Sequence, residues 1–164
     1  MSVTRFFLNV FSKLEQTPHS LIAFSARFSM AAIFWLSAQT KIEGFSINII
    51  SGEFEWGMPY FSEATISLFR DEYRLPLLSP EWAAVAGTWS EHIFAVLLLI
   101  GLGGRVAALG LLVITLIIQF FVYPDAYPTH GAWAVCLIYI IAHGPGIISI
   151  DHFLKKHIKI PVKG

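Results

Sequence analysis

Four apolar segments dominate the chain, at Leu21–Ala38, Trp82–Leu102, Val106–Tyr123 and Gly131–Ile150. Each is close to the about 20 residues a helix needs to cross a bilayer. Gly103-Gly104-Arg105 separates the second from the third, which leaves room only for a tight antiparallel helical hairpin. Tyr123-Pro124 ends the third, because proline disfavours helix in the residue before it. Gly144-Pro145-Gly146 interrupts the fourth, so that helix either stops near His143 or continues to Ile150. The pattern predicts an all-α membrane protein, an antiparallel four-transmembrane-helix bundle over residues 20–151.

The segments between and around the spans carry their own patterns. At the N-terminus, residues 1–19, Phe6, Phe7, Val10, Phe11 and Leu14 share one helical face, with Arg5, Asn9, Ser12 and Lys13 opposite. That suits an amphipathic helix lying at the membrane interface. In the tail, residues 152–164, Asp151 is placed to cap a short helix that holds Lys155, Lys156 and Lys159 near anionic lipid. Simple anchoring explains both pieces. The loop of residues 39–81 is longer than a structureless connection usually is, and it holds Phe45, Phe54, Trp56, Tyr60, Phe61, Phe69 and Tyr73. Its stretch Glu63–Glu72 is expected to be helical and to form an aromatic cap over the bundle, serving as packing, as a functional lid or as a partner surface.

Composition narrows the class. Of 164 residues, 55% are hydrophobic and only 13% charged, against about 25% charged in a soluble domain; the mean hydropathy is +0.65. A formal net charge of zero conceals a segregation that sets orientation. The loop has three basic residues (Lys41, Arg70, Arg74) against seven acidic ones (Glu43, Glu53, Glu55, Glu63, Asp71, Glu72, Glu81), whereas the hairpin and tail are basic. The positive-inside rule then puts both termini and the hairpin in the cytoplasm, with the loop and the Pro124–His130 turn outside. The single cysteine, Cys136, excludes an intrachain disulfide and the dithiol-relay quinone reductases. No nucleotide-binding glycine fingerprint is present, and nothing points to nucleic acid.

Ionisable residues inside the spans mark the candidate chemistry, since at that depth they face the bundle interior and need partners. Arg27 and Glu91 lie near their segment midpoints, separated by only about 5 Å in depth. An Arg27–Glu91 ion pair is therefore expected, as a packing lock or as a functional group. His92 points about 100° away from Glu91 around the helix; it is either a core histidine bonded to Ser25 or Ser29, or a proton or ligand contact. Trp89 lies a third of the way into its span, and with His92 and His143 completes the set of possible cofactor contacts. His92 and His143 on different helices would be the pair to test for a haem. Gln119 is expected to make a helix–helix hydrogen bond. Lys41 is expected to snorkel to the outer interface. His130 and Asp125 are too few for a metal site.

Several landmarks, in order, resemble the DoxX family of four-helix bacterial membrane proteins. They are Arg27-Phe28 through Phe34-Trp35-Leu36-Ser37-Ala38-Gln39-Thr40-Lys41, then Glu91-His92 followed by Gly101-Leu102-Gly103-Gly104-Arg105, and finally Gly144-Pro145-Gly146-Ile147-Ile148-Ser149-Ile150-Asp151. The similarity runs from Leu21 to Asp151. His92 departs from it, because the family often has a small or apolar residue there. The loop too is longer than in the shortest members. The resemblance implies a bacterial inner-membrane component of a redox system, a quinone-associated subunit of an oxidoreductase complex with redox-protein partners. Arg27 and Glu91 would form its polar core, and His92 would exchange protons or contact quinone oxygen. The competing expectations are a non-enzymatic scaffold or assembly factor, with self-association open, and a small-solute or metal transporter.

Overall fold

A computed structural model describes residues 7–8, 11–12, 15–49 and 51–157. The first long helix, α1 (His19–Gln39), contains neither proline nor glycine and starts immediately after Pro18. The next, α3 (Pro80–Ile100), has the opposite direction. Ser79 accepts the Trp82 amide at its start and Pro80 occupies its first turn, where a missing N–H costs nothing. It ends in a Schellman turn: Gly101, at φ +70°, donates to Leu97 and Leu98, and the Leu102 amide bonds Leu97 at 3.0 Å. After the Gly103-Gly104 turn, α4 (Gly104–Ile117) runs back and widens into a π-helical segment, Ile118–Val122. A short 3-10 turn, Pro124–Ala126, leads to α5 (Tyr127–His143).

These four helices pack in a ring, α1 against α3 and α5, and α4 against the same two. Met30, Phe34, Leu98, Leu111, Leu137 and Ile140 fill the centre, while Ala95, Ala107 and Ala108 let the backbones approach closely. The outer surface is apolar: Val106, Phe120 and Val135 are each about 70% exposed, so these helices meet lipid. α1, α3 and the 19 residues Gly104–Val122 are long and apolar enough to cross a membrane. With 17 residues α5 is shorter, about 25 Å.

The fourth apolar segment does not run to Ile150. Gly144 (φ +88°) and Gly146 (φ +83°), on either side of Pro145, end the helix at His143, and α6 (Ile150–His157) is a separate element. Asp151 also differs from expectation. Ser149 caps α6 by accepting the His152 amide at 3.2 Å, whereas the Asp151 carboxylate accepts the amides of Gly103 and Gly104 at 2.8 and 2.9 Å. An anion thus sits at the N-terminus of α4, where the helix dipole favours it. Lys155 and Lys156 lie exposed on α6, and Lys159 lies outside the described residues. At the other terminus Phe7 and Phe11 are exposed and helical, with rings stacked 6.5 Å apart; Arg5, Phe6, Asn9, Val10, Lys13 and Leu14 lie outside the described residues.

The long loop is structured. An antiparallel hairpin of β1 (Ser46–Asn48) and β2 (Glu53–Glu55) turns through Gly52. Next come α2 (Glu63–Ser67), capped by Ser62, and a π-helical segment, Leu68–Tyr73. Phe69 is buried on Ala83 and Ala84 of α3, with Phe61 and Tyr73 beside it. Phe54 and Trp56 stay exposed. The loop's aromatics therefore divide between packing and surface.

Candidate functional site

Glu91 is buried halfway along α3 and pairs with Lys41, whose ammonium reaches its Oε2 at 2.6 Å. Lys41 stands two residues beyond α1 and is itself buried, held also by Ser37 Oγ at 2.9 Å. The cap closes over it: Thr65 of α2 donates its hydroxyl to the Lys41 carbonyl at 3.1 Å. The lysine does not snorkel, and Glu91 does not pair with Arg27. Side chains on a helix tilt toward its N-terminus. That tilt takes Arg27 toward the basic end of the bundle, brings Lys41 back into it, and turns Glu91 toward the loop. Depth measured from segment midpoints misses this, which is why the expected pair does not form.

Arg27 instead donates to four backbone carbonyls: Leu98 at 2.8 Å and Leu99 at 2.5 Å on the last turn of α3, and Pro145 at 2.8 Å and Ile148 at 2.6 Å beyond α5. The Leu98 carbonyl also accepts the Gly101 amide at 3.2 Å; the carbonyls of a helix end and an irregular turn are otherwise poorly supplied with backbone donors. Gly101 makes the room, since a Cβ there would lie 2.9 Å from Arg27 Cζ and 2.5 Å from Ser149 Cβ. Arg105 repeats the device on α5, donating to Ile141 and Ala142.

Beside the Lys41–Glu91 pair lies a cavity of about 500 Å³ between α3, α4 and the cap. Ala83, Ala86 and Gly87 form its α3 wall, Phe69 and Tyr73 its roof, and Leu109, Gly110 and Val113 its α4 wall. Among its described lining residues, Glu91 and Tyr73 carry the ionisable groups. Glu91 Oε1 takes no hydrogen bond among the described residues. The rim residues Val106, Leu109 and Val113 are about half exposed or more, so the cavity opens sideways onto the lipid-facing surface. Both π-helical segments contribute to it, through Phe69 and Tyr73 and through Ile118 and Val122. Such segments recur at functional sites. Tyr73 packs edge to face on Tyr123, ring centroids 6.0 Å apart, and Tyr123 donates its hydroxyl to Glu72. Burial, aided by the Glu91 charge, raises the Tyr73 hydroxyl above the ordinary tyrosine range. The Glu72 contact does the same for Tyr123.

The other expected site residues sit elsewhere. His92 faces α1, not the cavity. Its Nδ1 donates to the Thr88 carbonyl at 2.9 Å and its Nε2 accepts from Gln39 Nε2 at 2.8 Å, so neither Ser25 nor Ser29 is its partner. Gln39 Oε1 in turn accepts the Ile47 amide, and Trp35 donates to the Ile47 carbonyl. This network fastens β1 to the bundle. Trp89 lies against the His92 ring, centroids 5.7 Å apart, and is partly exposed. His143 is exposed beside His19 at the opposite end of α1, about 30 Å from the Gln39 end that holds His92; the two rings do not meet at one iron. Gln119 accepts from His130 Nδ1 at 2.7 Å and so links the π-helical segment after α4 to α5. Thr88 Oγ1, one turn from Glu91, is buried without a hydrogen-bond partner among the described residues.

Lys41 and Tyr73 were not expected as site residues. For Tyr73 a signal existed: it follows Phe69 at helical i, i+4 spacing, so both fall on one face of the cap. The DoxX family model matches residues 22–124. No curated protein and no solved structure matches the chain.

Proposed function

The chain belongs to the DoxX family, and from that premise we propose that it is a quinone-associated membrane subunit of a redox complex, with the quinone head in the cavity beside Glu91. The observation that carries this is the cavity itself: apolar walls, a lipid-side opening, and one carboxylate, Glu91, in its lining with Lys41 paired behind it. Its volume lies in the range of small-molecule sites, about 300–1,000 Å³. Bound quinone supplies two-electron, two-proton redox chemistry, with the electrons exchanged with a partner redox protein. Glu91 is the group that takes or gives a proton at a quinone oxygen. Lys41 stabilises the carboxylate that remains and keeps it aimed at the cavity. Tyr73 is the hydroxyl donor from the roof, and Phe69, Phe94 and the α4 side chains keep water from the ring.

In this proposal all four long helices cross a bacterial inner membrane. Both termini and the Arg105 hairpin lie in the cytoplasm, and the cap faces outward, following the charge segregation. Quinone content of the purified protein in lipid nanodiscs tests the proposal. About one extractable quinone per chain is expected for the wild type, and loss of it in Gly87→Leu, whose Cβ would meet only Phe69 at 3.7 Å before growing into the cavity. Wild-type protein without quinone, and without quinone-dependent electron transfer to its partners, would overturn it.

A second reading, a non-enzymatic scaffold, draws on the exposed loop end, where Trp56, Met58 and Leu77 are each at least 75% exposed. A correctly folded Glu91→Gln variant with full cellular function would favour the scaffold.

A further inference from the structure

We infer that Tyr73, Tyr123 and Glu72 form a proton path between Glu91 and the surface at the loop end. This rests on the proposed role of Glu91 as the proton-exchanging group, though not on the identity of the ligand.

A buried acid that exchanges protons with a ligand must also exchange them with water, and Glu91 is nearly sealed. On the α1 side Lys41 occupies Oε2. His92, next in sequence, is committed to Thr88 and Gln39 and faces away. Across the cavity stands Tyr73. Beyond it Tyr123 packs against the Tyr73 ring and donates to Glu72, which is exposed. Each tyrosine is set by a π-helical segment: Leu68–Tyr73 closes with the Arg74 amide on Phe69 at 3.1 Å, and Ile118–Val122 with the Tyr123 amide on Ile118 at 2.8 Å. The two segments pack on each other, so the phenols are held by backbone rather than by a mobile tip. Arg70 and Glu81 pair with each other on the exposed rim.

In the outward direction the Glu91 carboxylic proton passes to Tyr73 Oη across the cavity, directly or through one water or ligand oxygen. Tyr73 gives its own proton to Tyr123, and Tyr123 gives its proton to the Glu72 carboxylate. One O–H bond breaks and one forms at each hop, so both tyrosines finish neutral. Glu91 finishes as the carboxylate paired with Lys41, and Glu72 finishes protonated in contact with water. The raised Tyr73 and Tyr123 hydroxyls remain protonated at neutral pH, ready to donate as they accept.

The test is a pH jump on the full chain in nanodiscs without quinone, following the carboxylic C=O infrared band that Glu91→Gln abolishes. Tyr73→Phe and Glu72→Gln should slow the change in that band about 100-fold, the scale of losing a positioned proton donor, with the extent of titration and the melting temperature unchanged. Arg70→Gln, a surface change at the same rim, should leave the rate alone. Glu72 is exposed, so its variant serves even if Tyr73→Phe does not fold. An unchanged rate in both variants, or a Glu91 band that never titrates, would overturn the path. A slowed rate in protein that binds no quinone would uphold the path while removing the proposed ligand.

Discussion

Arg27 and Lys41 are both buried cations, one on α1 and one just past it, yet their partners differ in kind. Arg27 spends its guanidinium on four backbone carbonyls that join the end of α3 to the Pro145–Ile148 turn. Lys41 faces a carboxylate beside a cavity. Backbone carbonyls do not titrate, so the first centre joins elements of the fold and offers no exchangeable proton. The second contains an acid whose charge can change, next to space where something can bind. Burial of charge alone therefore does not distinguish a lock from a site, and neither does adjoining space, since a hollow of about 330 Å³ also borders Arg27; the chemistry of the partner does.

The comparison breaks most visibly at Arg27. Arg27→Ala strands carbonyls from two elements and should destabilise the bundle by more than about 4 kcal/mol, in the tail reserved for loss of a buried network. Arg27→Lys should do nearly as badly, because a single ammonium does not reproduce the planar fork. Detergent-solubilised yield and melting temperature check both, and added quinone should rescue neither. Glu91→Gln comes next, at about 3–5 kcal/mol, because it leaves Lys41 charged and unpaired. The double change Lys41→Met with Glu91→Gln should recover most of that stability but not ligand binding. A double-mutant cycle on melting and binding separates the two effects.

Smaller effects sharpen the contrast. Thr88→Val removes a buried hydroxyl without a partner among the described residues and should stabilise the protein by about 1 kcal/mol. Denaturation of the variant in mild detergent measures it. The weakest signal lies in the cap. Tyr73 and Tyr123 are raised above their ordinary value of 10.0, so their contribution to stability is present below that value and lost as pH rises through the folded-state ionisation. Phenolate absorbance should show three late-ionising tyrosines, Tyr60 being raised as well by its hydrogen bond to Glu43, and Tyr73→Phe and Tyr123→Phe should each remove one.

Much of this was legible in the sequence. The Gly103-Gly104 turn and Tyr123-Pro124 mark helix boundaries through local backbone chemistry. Pro18 and Ser79-Pro80 carry the same kind of signal at the starts of α1 and α3, but the apolar pattern alone puts those starts at Leu21 and Trp82. Gly144-Pro145-Gly146 left two endings open, and the positive φ of both glycines decides for the shorter helix. The β1–β2 hairpin could have been found from the alternating Phe45, Ile47 and Ile49 before Ser51-Gly52, with Phe54 and Trp56 after it. The polar pairing was not legible from depth. Arg27 and Glu91 are close in height, but their side chains tilt toward opposite ends of the bundle, since α1 and α3 run antiparallel. His92 showed the converse: a residue with the most versatile chemistry turned out fully occupied in holding β1. The cavity depends on how α3, α4 and the cap meet, which no single segment encodes.

The most direct test is photo-crosslinking with an azido-quinone on membranes containing the full chain, mapped by mass spectrometry. Label should fall on the cavity walls, at Ala83–Gly87, Leu109–Val113 or Phe69–Tyr73, should be displaced by excess quinone, and should disappear in Gly87→Leu. Displaceable label beside Arg27 or His92 instead, or none that excess quinone displaces, would contradict the assignment of function to the Lys41–Glu91 centre.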